Sequence, residues 1–432
     1  MISLFPAILI FSACLLFAVF RPKIAIYLPL VVSSAYLVKA QLFGLPSTLL
    51  EIILVAVLSG VWLEFLIDHR TDPGSEQPCS DPGSVRVVSR LTIIFCGLFL
   101  IAATISAFIA PHPHVAWGYW KAMVVEPIIY ALTLFFLVEK DKRAKGVVWA
   151  LLLGGLVNVA LSLFSMGFGV DFGRFRGIYD VPNSLALIVA PLLTMSIIGG
   201  LLSWQPVPPT RWSKVAPPRR WYRVLALIFG AVLLATQSLA GLIAVAVTVL
   251  GVVIYLKKGW KILITVGLII VLGFGLQFSS GKLLHLLSRQ SSSFIAREQI
   301  WYTAFQMIKK HPILGTGLGT FEPSFQDELK IILNSQNLLF SPYSPHPPLE
   351  WVVRDPHNVI LSFWLNTGFL GMLAMVVLIV NKLTKTVQAL REAKNIHQVL
   401  LGVALVTLII FGLFDVPYWK NDLALIWWVL LM

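Results

Sequence analysis

The sequence has little charge for its length. Of its 432 residues, only 12% are Asp, Glu, Lys or Arg, whereas a soluble protein carries roughly 25%. Hydrophobic residues make up 58% of the chain, and the mean hydropathy is +0.85. Because each membrane span takes about 20 apolar residues, this length is used for spans rather than for a large aqueous domain. The composition therefore predicts an all-α polytopic membrane protein.

Cysteine and nucleotide-binding motifs are also scarce. The three cysteines, Cys14, Cys79 and Cys96, show neither a pairing pattern nor the spacing of metal ligands, which argues against a disulfide framework and a zinc site. The polar connectors contain no Walker lysine and no nucleotide fingerprint, which argues against ATP-driven chemistry. The absence of an internal repeat argues against a transporter built from inverted repeats.

Acidic residues are fewer than basic ones, 20 against 33, and the formal net charge is +13. On a soluble protein this balance would suggest a nucleic-acid partner, but in a membrane protein the positive-inside rule accounts for it. We therefore expect no nucleic acid. Basic residues concentrate in alternate connectors, namely 20–23, 68–90, 139–146, 203–223, 257–261 and 381–398. These connectors are predicted to be cytoplasmic, which puts the long loop 279–357 and the short loop 167–182 together on the outer face.

Apolar runs are what the sequence has in abundance. Candidates for spans lie at about 2–19, 24–38, 47–67, 91–110, 122–138, 147–166, 183–202, 224–236, 240–256, 262–278, 358–380, 399–414 and 421–432. They predict about 12–13 transmembrane helices. About ten form an amino-terminal bundle over 1–278, the large extracytoplasmic loop 279–357 contains short amphipathic helices, and 358–432 adds the last spans. The polar stretch 236–238 is either a tight hairpin or a kink, and the final run is a full or half span.

The long loop contains a helical pattern followed by glycines. Apolar residues recur at Phe294, Trp301, Phe305 and Ile308, which is helical spacing, and the helix should end before Pro312. Such an amphipathic helix can lie at a membrane surface. The "GTGLGT" that follows is either a tight turn that needs small residues or a phosphate-binding loop.

Two arginines in the short outer loop run against the charge bias. Arg174 and Arg176 occur in "GRFRGIYDVPNSLAL". They are either anchors for lipid headgroups or an anion site, because guanidinium groups make forked contacts with phosphate oxygens. Asn183, after Pro182, is predicted to cap the next helix.

A His-Asn pair opens the apolar run that follows the long loop, in "DPHNVILSFWLNTGFLG". Asn358 or Asp355 can cap the helix, with His357 as an interfacial polar residue. Alternatively His357 is a general base, because imidazole titrates near neutral pH and can accept a proton from a hydroxyl. The "GFLG" at the end of this stretch is read as a site of close helix packing.

Other polar residues lie within or beside spans. Glu126 and Asn158 are costly in lipid and should face the interior of the bundle, for packing or as part of an acceptor pocket. His112 and His114 alternate in an outer loop but lack a third ligand, so no metal is expected there.

Together the outer segments resemble a known family. "GRFRGIYDVPNSLAL", "AREQIWYTAFQMIKKHPILGTGLGTF" and "PHNVILSFWLNTGFLG" are similar, in order and side, to motifs of the bacterial O-antigen ligase and O-antigen polymerase family of membrane glycosyltransferases. The carboxyl-terminal "GLFDVPYWKNDLALIWW" also resembles the end of that family. The resemblance covers roughly residues 90–432.

The resemblance implies roles for individual residues. His357 would be the base on the acceptor hydroxyl, and Arg176 and Arg297, with Arg174 as a weaker addition, would bind the diphosphate of a polyprenyl-linked glycan. Asn358, Asn183 and Glu126 would support the site or the acceptor. One departure is Leu239 in "TQSLAGLI", where many members have arginine, so that one basic contact with the donor is in doubt.

The chemistry implied by the family suits these residue types. A lipid diphosphate is already a good leaving group, so the enzyme needs positioned cations and a base rather than a nucleotide. The resemblance implies metal-independent, inverting transfer without a cofactor. It places the site on the periplasmic side of a bacterial cytoplasmic membrane, among membrane lipids.

The acceptor separates the remaining hypotheses. A ligase transfers the glycan to another glycan, a lipid or a protein, whereas a polymerase joins repeat units on the same carrier, and both fit these residues. A transporter or flippase of lipid-linked glycans would be expected to show repeats or a pathway of charges within the spans, which are absent or weak. A purely structural membrane component would leave the outer arginines and histidine unexplained.

Overall fold

Most of the apolar runs become helices in the computed structural model. It describes residues 4–42, 45–71, 89–165, 170–171, 173–202, 219–256, 292–334, 342–343, 347–392 and 395–432. Within these residues, six helices are long and apolar enough to cross a membrane, and shorter apolar helices accompany them. The fold class is thus confirmed as all-α and multi-pass. The predicted run 262–278 lies outside the described residues, and the division into three regions remains a prediction.

The described helices are numbered in chain order. They are α1 (Leu4–Phe20), α2 (Pro22–Ala25), α3 (Leu28–Val31), α4 (Leu49–Thr71), α5 (Arg90–Ile109), α6 (Pro113–Tyr119), α7 (Glu126–Leu137), α8 (Lys140–Phe164), α9 (Pro182–Leu202), α10 (Arg219–Thr236), α11 (Leu239–Tyr255), α12 (Ser292–Lys310), α13 (Phe321–Leu333), α14 (Val359–Glu392), α15 (Ile396–Phe411) and α16 (Asn421–Leu431). A 3₁₀ segment spans Ser33–Leu37, and a π segment, Trp120–Val125, joins α6 to α7. Two short antiparallel pairs complete the list, β1 (Lys39–Leu42) with β2 (Leu45–Thr48) and β3 (Val170–Asp171) with β4 (Arg174–Phe175).

The predicted run 24–38 does not form one span. It is divided among α2, α3 and the 3₁₀ segment. The reason is local, because Pro22 and Pro29 each lie in the first turn of a four-residue helix, and proline removes a backbone donor and restricts the residue before it. At 236–238 the chain also breaks: Gln237 has a φ of 50°, and the Ser238 hydroxyl caps α11 by accepting from the Gly241 amide.

α9 is the central helix of the bundle. It is buried on nearly all sides and packs against α8, α10, α11 and α15, as expected of a helix that is apolar all round. α14 packs along α5, and α1 packs along α4. The short α16 is almost wholly buried, with Trp427 and Trp428 fully enclosed, so it belongs to the core although it has only 11 residues.

The amphipathic helix of the long loop is confirmed as α12, which ends before Pro312. Its buried side, with Ile300, Ala304 and Ile308, packs against α13 and the beginning of α14 in a second apolar cluster. Phe294 and Phe305 remain 43% and 50% exposed. Much of the apolar face is therefore covered by protein, and the loop is docked on the bundle.

The "GTGLGT" segment is a tight turn seated in a kink of α14. Gly315 has a φ of 72°, and Gly368, within α14, has a φ of 70°. The Thr316 amide donates to the Leu365 carbonyl at 2.8 Å, and the Phe369 amide donates to the Ile313 carbonyl at 2.9 Å. A Cβ on Gly368 would lie 2.3 Å from the Ile313 carbonyl oxygen. Close backbone approach thus explains both this glycine and the turn.

Several segments that connect the helices contact one another. The segments 173–184, 315–320, 354–358 and 412–421 come together, and we call this region the site end. This convergence positions the site described next.

Candidate active site

His357 lies at the site end, directly before α14, and its backbone is unusual. Its φ is 46°, a left-handed conformation that few residues other than glycine adopt. The Asp355 carboxylate accepts from the His357 amide at 3.0 Å, which holds the turn. Asn358 begins the helix as one of the predicted caps: its Oδ1 accepts from the Ile360 and Leu361 amides at 3.0 and 3.1 Å. Its Nδ2 also donates to the Leu413 carbonyl.

Two carboxylates flank the His357 imidazole. Nδ1 lies 3.5 Å from Asp355 Oδ1 and 3.8 Å from Asp415 Oδ1. These are electrostatic contacts rather than short hydrogen bonds. Asp415 is the more buried acid, with 13% of its side chain exposed, and its Oδ1 accepts from the Val416 amide at 2.8 Å. The imidazole therefore has two possible carboxylate partners on the same nitrogen.

The electrostatics favour a charged imidazole. Burial and the nearby Arg297 oppose the charged form, but the Asp415 and Asp355 carboxylates outweigh them, so the pKa of His357 lies above its usual value. The pKa of Asp415 lies below its usual value: burial raises it, but the contact with His357 has the larger combined effect. The pKa of Asp355 is raised, chiefly by burial. His357 is therefore a stronger base than a free imidazole.

Neither acid was among the site residues predicted from the sequence. From the sequence, Asp355 is a candidate only for the helix cap, and Asp415 occurs only within the quoted "GLFDVPYW" stretch. A carboxylate two residues before a candidate base was a usable local signal for Asp355. Asp415 is far away in sequence, and only the packing of α15 against α14 brings it to His357.

The same three side chains could serve as metal ligands. Asp355, His357 and Asp415 offer one ligand atom each, and these atoms lie within 4.8 Å of one another. His–carboxylate sets of this kind bind several divalent metals. The arrangement thus allows two kinds of chemistry, a base oriented by carboxylates or a metal site, which a chelator distinguishes.

Arg297 is brought to the His357 cluster by α12. Its Nε donates to the Phe414 carbonyl at 3.3 Å, one residue before Asp415, and its charge acts on His357. From the same helix, Trp301 Nε1 donates to the Pro356 carbonyl at 3.0 Å. α12 therefore contacts both the turn that precedes His357 and the loop that carries Asp415.

Arg174 and Arg176 lie on the neighbouring segment. Arg174 donates from Nε to the Thr236 carbonyl at 3.0 Å and from Nη2 to Asn183 Oδ1 at 3.1 Å. Arg176 Nη1 donates to the Tyr179 carbonyl at 2.9 Å. The prediction that Asn183 caps the helix needs correction: α9 begins one residue earlier, at Pro182, and the Asn183 carboxamide orients Arg174.

Two contacts join this arginine segment to the His357 side. Arg354 Nη1 lies 4.0 Å from Asp180 Oδ2, although both side chains are more than 80% exposed, and Lys420 Nζ donates to Ser184 Oγ at 2.6 Å. An exposed pair contributes little energy, so the Lys420 contact is the stronger link between the two halves.

Glu126 belongs to a second polar cluster. It interacts electrostatically with Glu51 and Lys121. Glu51 in turn accepts from Lys121 Nζ at 2.6 Å and from Asn421 Nδ2 at 2.7 Å. Asn158 is fully buried, as predicted for an inward-facing residue, and its Nδ2 donates to the Gly154 carbonyl. Asn158 Oδ1 also accepts from the Tyr179 hydroxyl, and none of these contacts joins Glu126 to His357.

The fold and the site define a class, namely a multi-pass α-helical membrane protein with a histidine, two carboxylates and several cations gathered at one end. Residues 224–376 match the sequence model of the family described as "O-Antigen ligase". The match supports assignment to the O-antigen ligase family and confirms the resemblance seen in the motifs.

The match includes some of the site residues and not others. It contains α12 with Arg297, the glycine turn, and His357 with Asn358, whereas Arg174, Arg176 and Asp415 lie outside it. No curated protein matches the chain. The matched family indicates O-antigen ligase-type activity, which in general involves a lipid-linked glycan and an acceptor.

Proposed function

We propose that this protein transfers a glycan from a polyprenyl-diphosphate carrier to an acceptor hydroxyl, with His357 as the general base. The observation that carries the proposal is the contact of one imidazole nitrogen with two carboxylates. A carboxylate beside Nδ1 favours the neutral imidazole tautomer whose proton is on Nδ1. Nε2 is then the nitrogen that accepts the proton of the acceptor hydroxyl.

The bond changes follow from these roles. The acceptor oxygen attacks the anomeric carbon, its proton passes to His357, and the bond from that carbon to the diphosphate oxygen breaks. The diphosphate leaves with the electron pair. Arg297 and Arg176, with Arg174 beside them, neutralise the charge that develops on the leaving group, since positioned cations act most strongly where charge appears in the transition state.

This sequence of events is a single displacement and inverts the configuration at the anomeric carbon. We expect an NMR analysis of the product linkage to show inversion. A product with retained configuration, or a trapped glycosyl-enzyme, would remove His357 from the role of base and require a nucleophile on the protein.

The location is part of the proposal. The short connectors predicted to lie on the side of the site end are poorer in basic residues than the alternate set, which supports the extracytoplasmic side of a cytoplasmic membrane. On that side no nucleotide is needed, because the lipid diphosphate brings its own leaving group. Accessibility of a cysteine introduced at Val352, which is 65% exposed, to an impermeant thiol reagent on intact cells tests this orientation.

The purified, full-length protein in detergent provides the direct test of function. It should form a glycosidic bond between a lipid-linked glycan and an acceptor, and His357→Ala should lower the rate by roughly 10²–10⁴-fold, the usual contribution of a general base. His311→Ala, at the exposed end of α12, is the matched control and should retain activity. Full activity in His357→Ala would refute the assignment.

The acceptor distinguishes ligase from polymerase. The family description favours the ligase, and the same base and cations would serve a polymerase. In a strain that lacks the protein, long carrier-linked chains without attachment indicate a ligase, whereas single repeat units on the carrier indicate a polymerase. A protein that moves the lipid-linked glycan across vesicle membranes without forming a bond would be a transporter.

A further inference from the structure

Lys420 lies within the quoted "GLFDVPYWKNDLALIWW" stretch but was given no role there, and it lies outside the family match. It directly precedes α16, is half-buried, and its Nζ donates to the Ser184 hydroxyl at 2.6 Å. Ser184 follows Asn183, which accepts from Arg174. The ammonium group therefore touches the first turn of α9, next to the arginine segment.

The same ammonium group also acts on the other half of the site. Its charge stabilises the ionised forms of Asp355 and Asp415, the two carboxylates that flank His357. Lys420 is thus within electrostatic reach of the two carboxylates beside the base, and it contacts the arginine-bearing side. A donor whose diphosphate lies between the arginines and the base would pass close to it.

Among the described residues Lys420 forms no salt bridge, although its charge also acts on the buried Asp422 two residues further on. Lys121 and Lys310 each lie 2.6 Å from a buried glutamate. Lys420, in contrast, donates to a neutral hydroxyl, and no carboxylate among the described residues lies within 4.0 Å of its Nζ. A hydrogen bond to a neutral hydroxyl is weaker than one to a phosphate oxygen, so the present partner is readily exchanged for an anion.

We propose that Lys420 is a further cationic contact for the diphosphate of the lipid-linked donor, and that a phosphate oxygen replaces Ser184 as its partner. This inference rests on the proposed function. A diphosphate that approaches His357 meets the negative charge of Asp355 and Asp415, and a lysine at this place offsets that repulsion. Its compact ammonium group can rotate to reach a phosphate oxygen, whereas the guanidinium groups of the arginines are planar and fixed in geometry.

Binding of short prenyl phosphates to the purified, full-length protein tests the inference. Farnesyl diphosphate and farnesyl monophosphate serve as probes in a calorimetric titration in detergent. We expect Lys420→Gln to weaken diphosphate binding by about tenfold or more, which is the loss of one charge-assisted hydrogen bond, and to affect the monophosphate less. Lys420→Arg should keep most of the affinity. Lys309→Gln, an exposed lysine on α12, is the control and should bind as the wild type does.

Ser184→Ala separates binding from structure. It removes the hydrogen bond of the free protein but keeps the charge, so diphosphate binding should be retained or become tighter. A purely structural Lys420 would instead make Ser184→Ala and Lys420→Gln equally defective, with equal losses of thermal stability. With the natural donor, Lys420→Gln should raise KM more than it lowers kcat.

The outcomes for the two proposals are distinct. Wild-type protein that binds the diphosphate while Lys420→Gln binds it equally well overturns the role of Lys420 and leaves the proposed function standing. Wild-type protein that neither binds farnesyl diphosphate nor transfers a glycan from a lipid-linked donor overturns the proposed function, and the role of Lys420 with it.

Discussion

Replacing Asp415 with Asn tests the electrostatic basis of the proposed mechanism. The substitution keeps the shape of the side chain and removes one negative charge, 3.8 Å from His357 Nδ1. Asp355 on the same turn and Arg297 on α12 remain as the other charged groups that act on the imidazole. Any shift in the titration of His357 then reports on Asp415.

The size of the shift follows from Coulomb's law. At about 4 Å, two unit charges attract by about 1 kcal/mol in bulk water and by about 4 kcal/mol at an effective dielectric constant near 20. Since 32% of the His357 side chain is exposed, solvent screening favours the lower part of this range. Because one pKa unit corresponds to about 1.4 kcal/mol, we expect the pKa of His357 to fall by about one unit.

The assay is the pH dependence of kcat/KM. A general base must be deprotonated, so activity rises as the pH passes upward through the pKa of His357. Because that pKa is raised, the rise lies at higher pH than it would for a free imidazole. In Asp415→Asn the rise should move about one unit to lower pH. The plateau should fall roughly 10- to 100-fold, because the imidazole loses a carboxylate that favours the productive tautomer.

Asp327→Asn is the matched control. Asp327 lies on α13, is exposed, and pairs only with its neighbour Lys330 at 3.0 Å, so its removal should leave both the profile and the plateau unchanged. An Asp415→Asn profile whose rise stays at the wild-type pH would refute the coupling between the two groups. A rise that moves to higher pH would refute the sign of the argument.

The remaining predictions concern the cation, the possible metal and the kink. Arg297→Lys keeps the positive charge but loses the planar guanidinium, so it should raise the KM for the donor less than Arg297→Ala does. Equal KM values for the two variants would contradict a contact with the diphosphate. EDTA should leave activity unchanged, whereas a loss restored by a divalent cation would make Asp355, His357 and Asp415 metal ligands. Gly368→Ala should lower the stability by about 1–3 kcal/mol, because Gly368 has a positive φ and the Ile313 carbonyl leaves no space for a Cβ. Gly251 has nothing within 4 Å of such a Cβ, so Gly251→Ala is the control and should not lower the stability. Equal thermal midpoints of the two variants in detergent would contradict this account.

Local patterns predicted much of the fold. α12 followed from apolar residues at helical spacing, its end from Pro312, and the glycine turn from residues that tolerate positive φ. The Asn358 cap needed only the rule that a carboxamide at a helix start accepts from amides two and three residues on. Features of this kind depend on the residues adjacent in sequence, which is why the sequence alone contains them.

What the sequence did not predict depends on contacts between distant segments. Asp415 reaches His357 through the packing of α15 and α14, and Lys420 reaches Ser184 across the site end. The break of the run 24–38 has a different cause. Its composition is apolar enough for a span, but Pro29 interrupts the backbone hydrogen bonding of a continuous helix. Average hydropathy is insensitive to a single proline.

The site is held together by hydrogen bonds that do not involve the His357 imidazole. Trp301 donates to the Pro356 carbonyl, Arg297 Nε to the Phe414 carbonyl, and Asn358 Nδ2 to the Leu413 carbonyl. These bonds clamp α12, the turn before α14 and the loop after α15 to one another. The left-handed backbone of His357 costs of order 1–3 kcal/mol, and a turn held from both sides can sustain it. The imidazole and the carboxylate of Asp415 are thus positioned before a donor binds. Little of the donor's binding energy is then needed to order them, and more of it can stabilise the charge that develops on the diphosphate in the transition state.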